Sequence, residues 1–411
     1  KYMYQQEPIS HQSRWSETLF FNLYIRLQAA TIGRSDNVGS LLTECFDWSG
    51  DSISVIFQTT KNDRTGESTN DKKHIYASNT MPHICVFLAL SLYIWCMHAT
   101  SGEEAKRIFS GTSQKDRFYK ILMTNLTILE SRGIDLGAIL DFLGAHSIRK
   151  MADTYASNIP GGPLKDSVKH RAGHSLGKVQ DIYDRQCALG DCHVGRTLSF
   201  IPMLSALFAE LPPHFTEEGN RKILEIGWEN LLPGYGHYGP CFQRVLPFLL
   251  ACLIYHFKTG SLADLLPSSH PIFLQPVMKY ADELYPFIRL GINECPDTGM
   301  RATGVSPFVT NLIEIHKVRE DNVKTQNMIS KLYESIGKLP GLVANEVEDR
   351  VTIDGQPITR ASIEQLIGDM GQDIQKSLSV LLTNYNDSTS RLPNEAVNSV
   401  TNSHIEFHHQ W

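Results

Sequence analysis

Residues 144–183 constrain this chain more than any other stretch. They open with GAHSIRKMADTYASN and close with VKHRAGHSLGKVQDIY. His146 and Arg149 are three positions apart, so a helix puts both on one face. His174 follows a glycine, and Tyr183 comes nine residues after it. A positioned cation, two imidazoles and a phenol are the groups that a metal-free attack on a phosphodiester needs. Phenol is a weak nucleophile at neutral pH because its pKa is about 10. Cations around the phosphate offset that by stabilising charge in the transition state.

HSIRK followed by RAGHSLGKVQDIY resembles the H-x-x-R … G-[HW]-x8-Y signature of tyrosine recombinases, the phage-integrase superfamily. That family also uses an upstream Arg and a Lys on a β-hairpin. TIGRSDNVGSLL offers Arg34, and SISVIFQTTKNDRTGE offers Lys61. The order Arg34, Lys61, His146, Arg149, His174, Tyr183 is the family order. The run GDCHVGR after the tyrosine adds a likeness to the recombinases of Crypton-type mobile elements. The specific motifs cover roughly the first half of the chain.

The constellation carries the signal, not its pieces. H-x-x-R occurs four times, at His11–Arg14, His146–Arg149, His193–Arg196 and His316–Arg319. Only the second is followed at a suitable distance by Gly-His and then Tyr. The other Gly-His step, Gly236–His237, has Leu246 at that offset. Singly, each residue has a plain structural reading. Arg34 suits a helix surface and Lys61 a solvated turn, with Lys72 or Lys73 able to serve instead. His146 follows an apolar run, His174 suits a helix cap, and Tyr183 suits a packed helix end.

The chain has 411 residues, 42% hydrophobic and 20% charged, a globular composition long enough for two or three domains. Its formal net charge is −6, and its pI is near 6.2. That argues against a broadly basic nucleic-acid coat. Any DNA contact therefore rests on a local positive surface, for which Lys150, Lys165, Lys169, Arg171 and Lys178 are the candidates, with Arg149 and Arg185 beside them. Eight cysteines scatter without a framework, which fits a reducing compartment. Cys187, Cys192 and His193 lack a usual zinc spacing, so no metal site is expected. The apolar runs near 84–97 and 245–257 read as buried helices too short to span a bilayer. No signal peptide is visible.

Along the chain, apolar spacing predicts helices over 13–30, 84–97, 103–109, 115–130 and 136–143, then one starting at HSIRK. A further helix is expected through Val38, Leu41 and Leu42. Alternation around Ile53, Val55 and Phe57, with His74–Tyr76 as return strand, predicts a small sheet carrying Lys61. NIPGGP ends the HSIRK helix. Residues 307–339 show heptad-like spacing, clearest at Ile329, Leu332, Ile336 and Leu339, which fits a short coiled coil or one amphipathic helix. A last helix carries Ile363, Leu366, Met370, Ile374 and Leu378, and 384–402 reads as flexible.

The expected fold is mostly α with a small antiparallel β-sheet (α+β). The expected regions are a tyrosine-recombinase catalytic domain over 1–205, a helical accessory region over 206–305, an amphipathic helix over 306–345, and a small helical region with a tail over 346–411. The usual N-terminal DNA-clamping helical domain is not seen ahead of the catalytic part. The resemblance implies DNA strand exchange through a 3′-phosphotyrosine intermediate, with neither cofactor nor metal. Tyr183 is then the nucleophile, Arg34 and Arg149 clamp the phosphate, and Lys61 protonates the leaving 5′-oxygen. His146 orients the phosphate or takes the phenol proton, and His174 hydrogen-bonds a phosphate oxygen. Asn37 stands where the family often has an acidic residue, with Asp36 adjacent. The implied partner is double-stranded DNA, bound by a homo-oligomer, without a membrane. The implied place is intracellular, nuclear in a eukaryote. A decayed, DNA-binding recombinase, a type IB topoisomerase-like enzyme and a scaffold protein are the alternatives.

Overall fold

The computed structural model describes residues 13–58, 71–97, 106–133, 143–174 and 187–346, with scattered positions between 352 and 379. It is mostly helical, with small antiparallel sheets. Residues 1–310 form one compact unit, and 311–411 a second.

In the first unit, helix α1 (Ser13–Thr31) drives Leu19, Phe20, Leu23, Tyr24 and Leu27 into the core at helical spacing. It ends where Thr31 Oγ1 donates to the Leu27 carbonyl at 2.6 Å and the Gly33 amide returns to the Gln28 carbonyl at 3.0 Å. A Cβ at Gly33 would lie 2.7 Å from Thr31 Oγ1 and 2.8 Å from Val38 Cγ2. Any side chain there would have to displace both groups. Arg34 comes next, and α2 (Ser35–Gly39) follows it. The expected extension of helix through Leu41 and Leu42 is corrected. Helix α2 stops at Gly39, and Leu42 bridges Arg107. Residues 106–109 therefore run in extended or bent form, not as the end of the helix expected over 103–109.

Strands β1 (Phe46–Ser49), β2 (Ser52–Val55) and β3 (Lys73–Ile75) form one antiparallel sheet in that order. Phe46 pairs with Val55, and Ile53 with Ile75. The β1–β2 turn uses Gly50 at φ +65°, a left-handed conformation that glycine adopts without penalty. β3 is the expected return strand, and it carries Lys73 and His74.

Helix α3 (Val86–Met97) is buried almost all round. It packs with α1 on one side and α8 on the other, α8 being Pro240–Lys258. Between α3 and α8 come, besides the shorter helices Glu217–Ile226 and Trp228–Leu231, the helices α4 (Gln114–Ser131), α5 (Ala145–Asn158), α6 (Lys165–Ala172) and α7 (Ala188–Leu198). Leu249, Leu250, Leu253 and Ile254 of α8 lie in the same core as Leu23 and Leu27. Trp48 stacks on Phe248 with centroids 3.3 Å apart. The expected domain boundary at 205 therefore falls inside a single core. At 19 residues, α8 is also longer than the run read from sequence, and by length and composition it suffices to cross a membrane. Its apolar side chains are enclosed by the protein instead.

A smaller cluster of Ile32, Ala152, Ala156, Val168, Ala172, Val194 and Leu198 joins α5, α6 and α7 to the end of α1. Ala152 and Ala156 are small enough to bring α5 close to its neighbours. This cluster underlies the candidate site.

The second unit is described mainly by α9 (Pro307–Glu346), a 40-residue helix. Ile315, Val318 and Leu332 on it are exposed. The side chains of Ile336 and Leu339, two of the four heptad positions, lie outside the described residues.

Candidate active site

Arg149 and His174 meet directly. Arg149 Nη2 lies 3.0 Å from His174 Nε2 and donates to the Ala172 carbonyl at 2.6 Å. An arginine only donates, so His174 Nε2 accepts and its proton sits on Nδ1. Burial pulls the His174 pKa below its usual value, and the charges of Arg149, Arg34 and Lys169 add to this against Asp153. Arg149 is likewise pulled down, first by burial and then by Arg34, again with Asp153 opposing. Arg34 is thus within electrostatic reach of both. Among the described residues, no hydrogen bond or ion pair occupies the Arg34 guanidinium. Two guanidiniums and a neutral imidazole from separate segments therefore share one electrostatic neighbourhood, in a chain of net charge −6.

Local structure explains their placement. The sharp exit at Gly33 sets Arg34 on the extended residue before α2, at φ −69° and ψ 145°. Gln28 Nε2 donates to the Ala145 carbonyl at 2.7 Å, tying the first turn of α5 to α1. His146 is exposed in that turn, one turn before the half-buried Arg149. Helix α6 ends at Gly173 in the left-handed conformation, φ +66°. The amides of Gly173 and His174 close on the carbonyls of His170 and Lys169 at 2.8 and 2.9 Å. That C-terminal cap turns His174 outward toward Arg149.

Lys61, Tyr183 and Lys178 lie outside the described residues. Lys150, Lys165 and Lys169 are exposed, with Lys169 paired to Asp166 at 3.1 Å. Arg171 is a correction. Its guanidinium is buried, 1% exposed, and ion-paired with Asp191 at 2.6 Å, so it presents nothing to DNA. Tyr155, a second phenol in the same stretch, packs on Phe200 at 4.7 Å, and burial raises its pKa to about 12.

Sequence reasoning gave no role to His74 and Asp191, and weighed Lys73 only as a substitute for Lys61. Lys73 Nζ is buried and donates to the Arg171 carbonyl at 2.7 Å. Burial, with the Arg171 charge adding to it against Asp191 and Asp71, lowers its pKa to about 8. Asp191 Oδ2 accepts from the His74 amide at 2.7 Å and from His74 Nδ1 at 3.0 Å. Burial disfavours charge on His74, but Asp191 and the Cys192 thiol outweigh it and raise the pKa to about 9. The charge of Arg171 and the His74 bonds overcome burial at Asp191 and hold it at about 2. Cys187 is exposed, Cys192 is buried, and His193 Nδ1 meets the Gly304 carbonyl at 2.8 Å.

Compared with models of known protein families, with curated proteins and with solved structures, the chain matches none of them.

Proposed function

We propose that this chain is a DNA strand transferase of the tyrosine-recombinase type. The observation that carries the reading is the grouping of Arg34, Arg149 and His174, with no partner among the described residues on the Arg34 guanidinium or on the Nδ1–H of His174. Two guanidiniums and a neutral imidazole donor suit the non-bridging oxygens of a phosphodiester. The exposed Lys150, Lys165 and Lys169 add a local positive surface around them. In this reading Tyr183 Oη attacks phosphorus, and the phenol proton passes to His146. The bond to the 5′-oxygen breaks as the tyrosyl ester forms. Lys61 gives a proton to the departing oxygen. One ester replaces another, so the step is balanced without a nucleotide or a metal.

The test is covalent trapping on a nicked suicide DNA substrate. Wild type is expected to form a protein–DNA adduct that survives denaturation, and Tyr183→Phe to bind the DNA without forming it. An adduct from Tyr183→Phe moves the nucleophile to another phenol, with Tyr155 tested next. No adduct from wild type across varied DNA sites leaves an anion-binding, non-cleaving protein.

A further inference from the structure

Arg171 spends all its donors inside the protein. Nε and Nη2 donate to the Ala30 carbonyl at 3.1 and 2.7 Å, and Nη2 also to the His74 carbonyl at 2.8 Å. Nη1 donates to Asp191 Oδ1 at 2.6 Å and to the Asp191 carbonyl at 3.3 Å. Its own carbonyl receives Lys73 Nζ, and the next carbonyl, Ala172, receives Arg149 Nη2. These partners lie on the segments that carry or adjoin the cluster in sequence. Ala30 stands just ahead of the Arg34 turn. His74 follows Lys73. Asp191 is in α7, the helix after the segment bearing Tyr183. His174 lies one turn beyond Arg171 itself.

We propose that Arg171 is the positioning residue of this site, holding the Arg34 turn, the Lys73 strand and the Arg149–His174 pair in one arrangement. The catalytic consequence rests on the reading above; the geometric one does not. Core stability alone gives little reason for a guanidinium here. A buried ion pair contributes little net stability and is often replaceable by apolar residues. A planar fork, however, fixes the direction of several acceptors at once, which a lysine cannot do. The packing leaves little slack for drift. A Cβ at Gly195 of α7 would lie 2.1 Å from the His74 carbonyl, so the α7 and β3 backbones touch.

Two variants and two readouts test this. Arg171→Lys keeps a charge for Asp191 but loses the fork. Arg171→Met with Asp191→Asn removes the buried ion pair together and keeps an amide oxygen to accept from the His74 amide, His74 turning neutral once the carboxylate is gone. The first readout needs no DNA: the pH titration of the His174 ring by NMR, assigned with His174→Gln. Wild type is expected to titrate below the usual histidine value, because burial and the charges of Arg149, Arg34 and Lys169 outweigh Asp153. In folded variants that value should rise toward normal as Arg149 drifts away. The second readout is single-turnover cleavage, expected to fall on the order of 100-fold while DNA affinity holds within about twofold.

An unmoved His174 titration in a folded variant overturns the proposal. So does unfolding of both variants, which would assign Arg171 to core stability alone. If wild type forms no DNA adduct, the recombinase reading fails separately, and the titration still decides on Arg171.

Discussion

Arg149 Nη2 and His174 Nε2 lie 3.0 Å apart, and that contact fixes which imidazole nitrogen carries the proton. The imidazole is neutral there, with Nδ1–H turned into a donor. The same nitrogen of Arg149 is anchored on the Ala172 carbonyl, and no other partner of this guanidinium is found among the described residues.

His174→Gln should therefore outperform His174→Ala. A glutamine oxygen can accept from Arg149 while its amide donates to a phosphate oxygen. A hydrogen bond to a charged group contributes about 1.5–3 kcal/mol, so the alanine variant should cleave roughly 10- to 100-fold more slowly. Single-turnover rates on the suicide substrate decide it. Equal losses in both variants would remove His174 from the phosphate-binding set.

The contact of α7 with β3 predicts a packing failure at a site away from the cations. Gly195→Ala would place a Cβ 2.1 Å from the His74 carbonyl and 3.0 Å from Tyr76 Cε2. The clash is with backbone, so one of the two elements must move. Overpacking of this kind costs about 1–3 kcal/mol. Thermal unfolding should show a clear fall in Tm, with Gly190→Ala as comparison, since a Cβ there meets only the Ser167 side chain. A Gly195→Ala protein as stable as wild type would contradict the register of α7 on β3.

Asp51 makes a second buried ion pair, with Arg196, and both side chains are fully buried. Arg196 also donates to the carbonyls of Phe208 and Glu210 at 2.9 and 3.0 Å and lies 4.4 Å over the Tyr76 ring. Asp51 additionally accepts from Thr303 Oγ1 at 2.6 Å. Asp51→Asn leaves the guanidinium charge uncompensated in the interior. Breaking such a pair costs about 3–5 kcal/mol. Denaturant unfolding measures it, and a loss below about 1 kcal/mol would show that water reaches Arg196.

Local features of this fold are legible in the sequence, and features made by distant partners are not. Apolar spacing marks α1, α3 and α4 to within a residue or two, because each buries a stripe of its own residues. Gly173 before His174 reads as a cap on local grounds alone. Arg171 was misread because KHR looks like a solvated basic run. Its partners Ala30, His74 and Asp191 lie 141, 97 and 20 residues away. A signal was present all the same: Val168 and Arg171 are three apart, which puts the arginine on the buried face of α6. The continuity of the core across residue 205 was illegible for the same reason. Pro212-Pro213 and the glycine-rich run from Gly234 break the chain locally, yet α8 beyond them packs into the core begun by α1.

Two of the buried histidines weaken the fold in acid. His256 is fully buried and, among the described residues, neither ring nitrogen has a hydrogen-bond partner, while His270 has none on Nε2 and accepts the Ile272 amide on Nδ1. Burial lowers the pKa of His256 to about 4 and that of His270 to about 3. Both values lie below the 6.5 of an unfolded chain, so below pH 6.5 the unfolded state binds protons that the folded state refuses. Stability from each is full above about pH 6.5 and is lost as pH falls toward the folded value, at about 1.4 kcal/mol per pH unit per histidine. Denaturant titrations between pH 7 and 4 should show this loss. His256→Leu should flatten the slope by about one proton and, by removing two unpartnered polar atoms from the core, leave stability at pH 7 unchanged or higher. A His256→Leu protein with the wild-type pH slope would mean that His256 is charged or hydrated in the folded state.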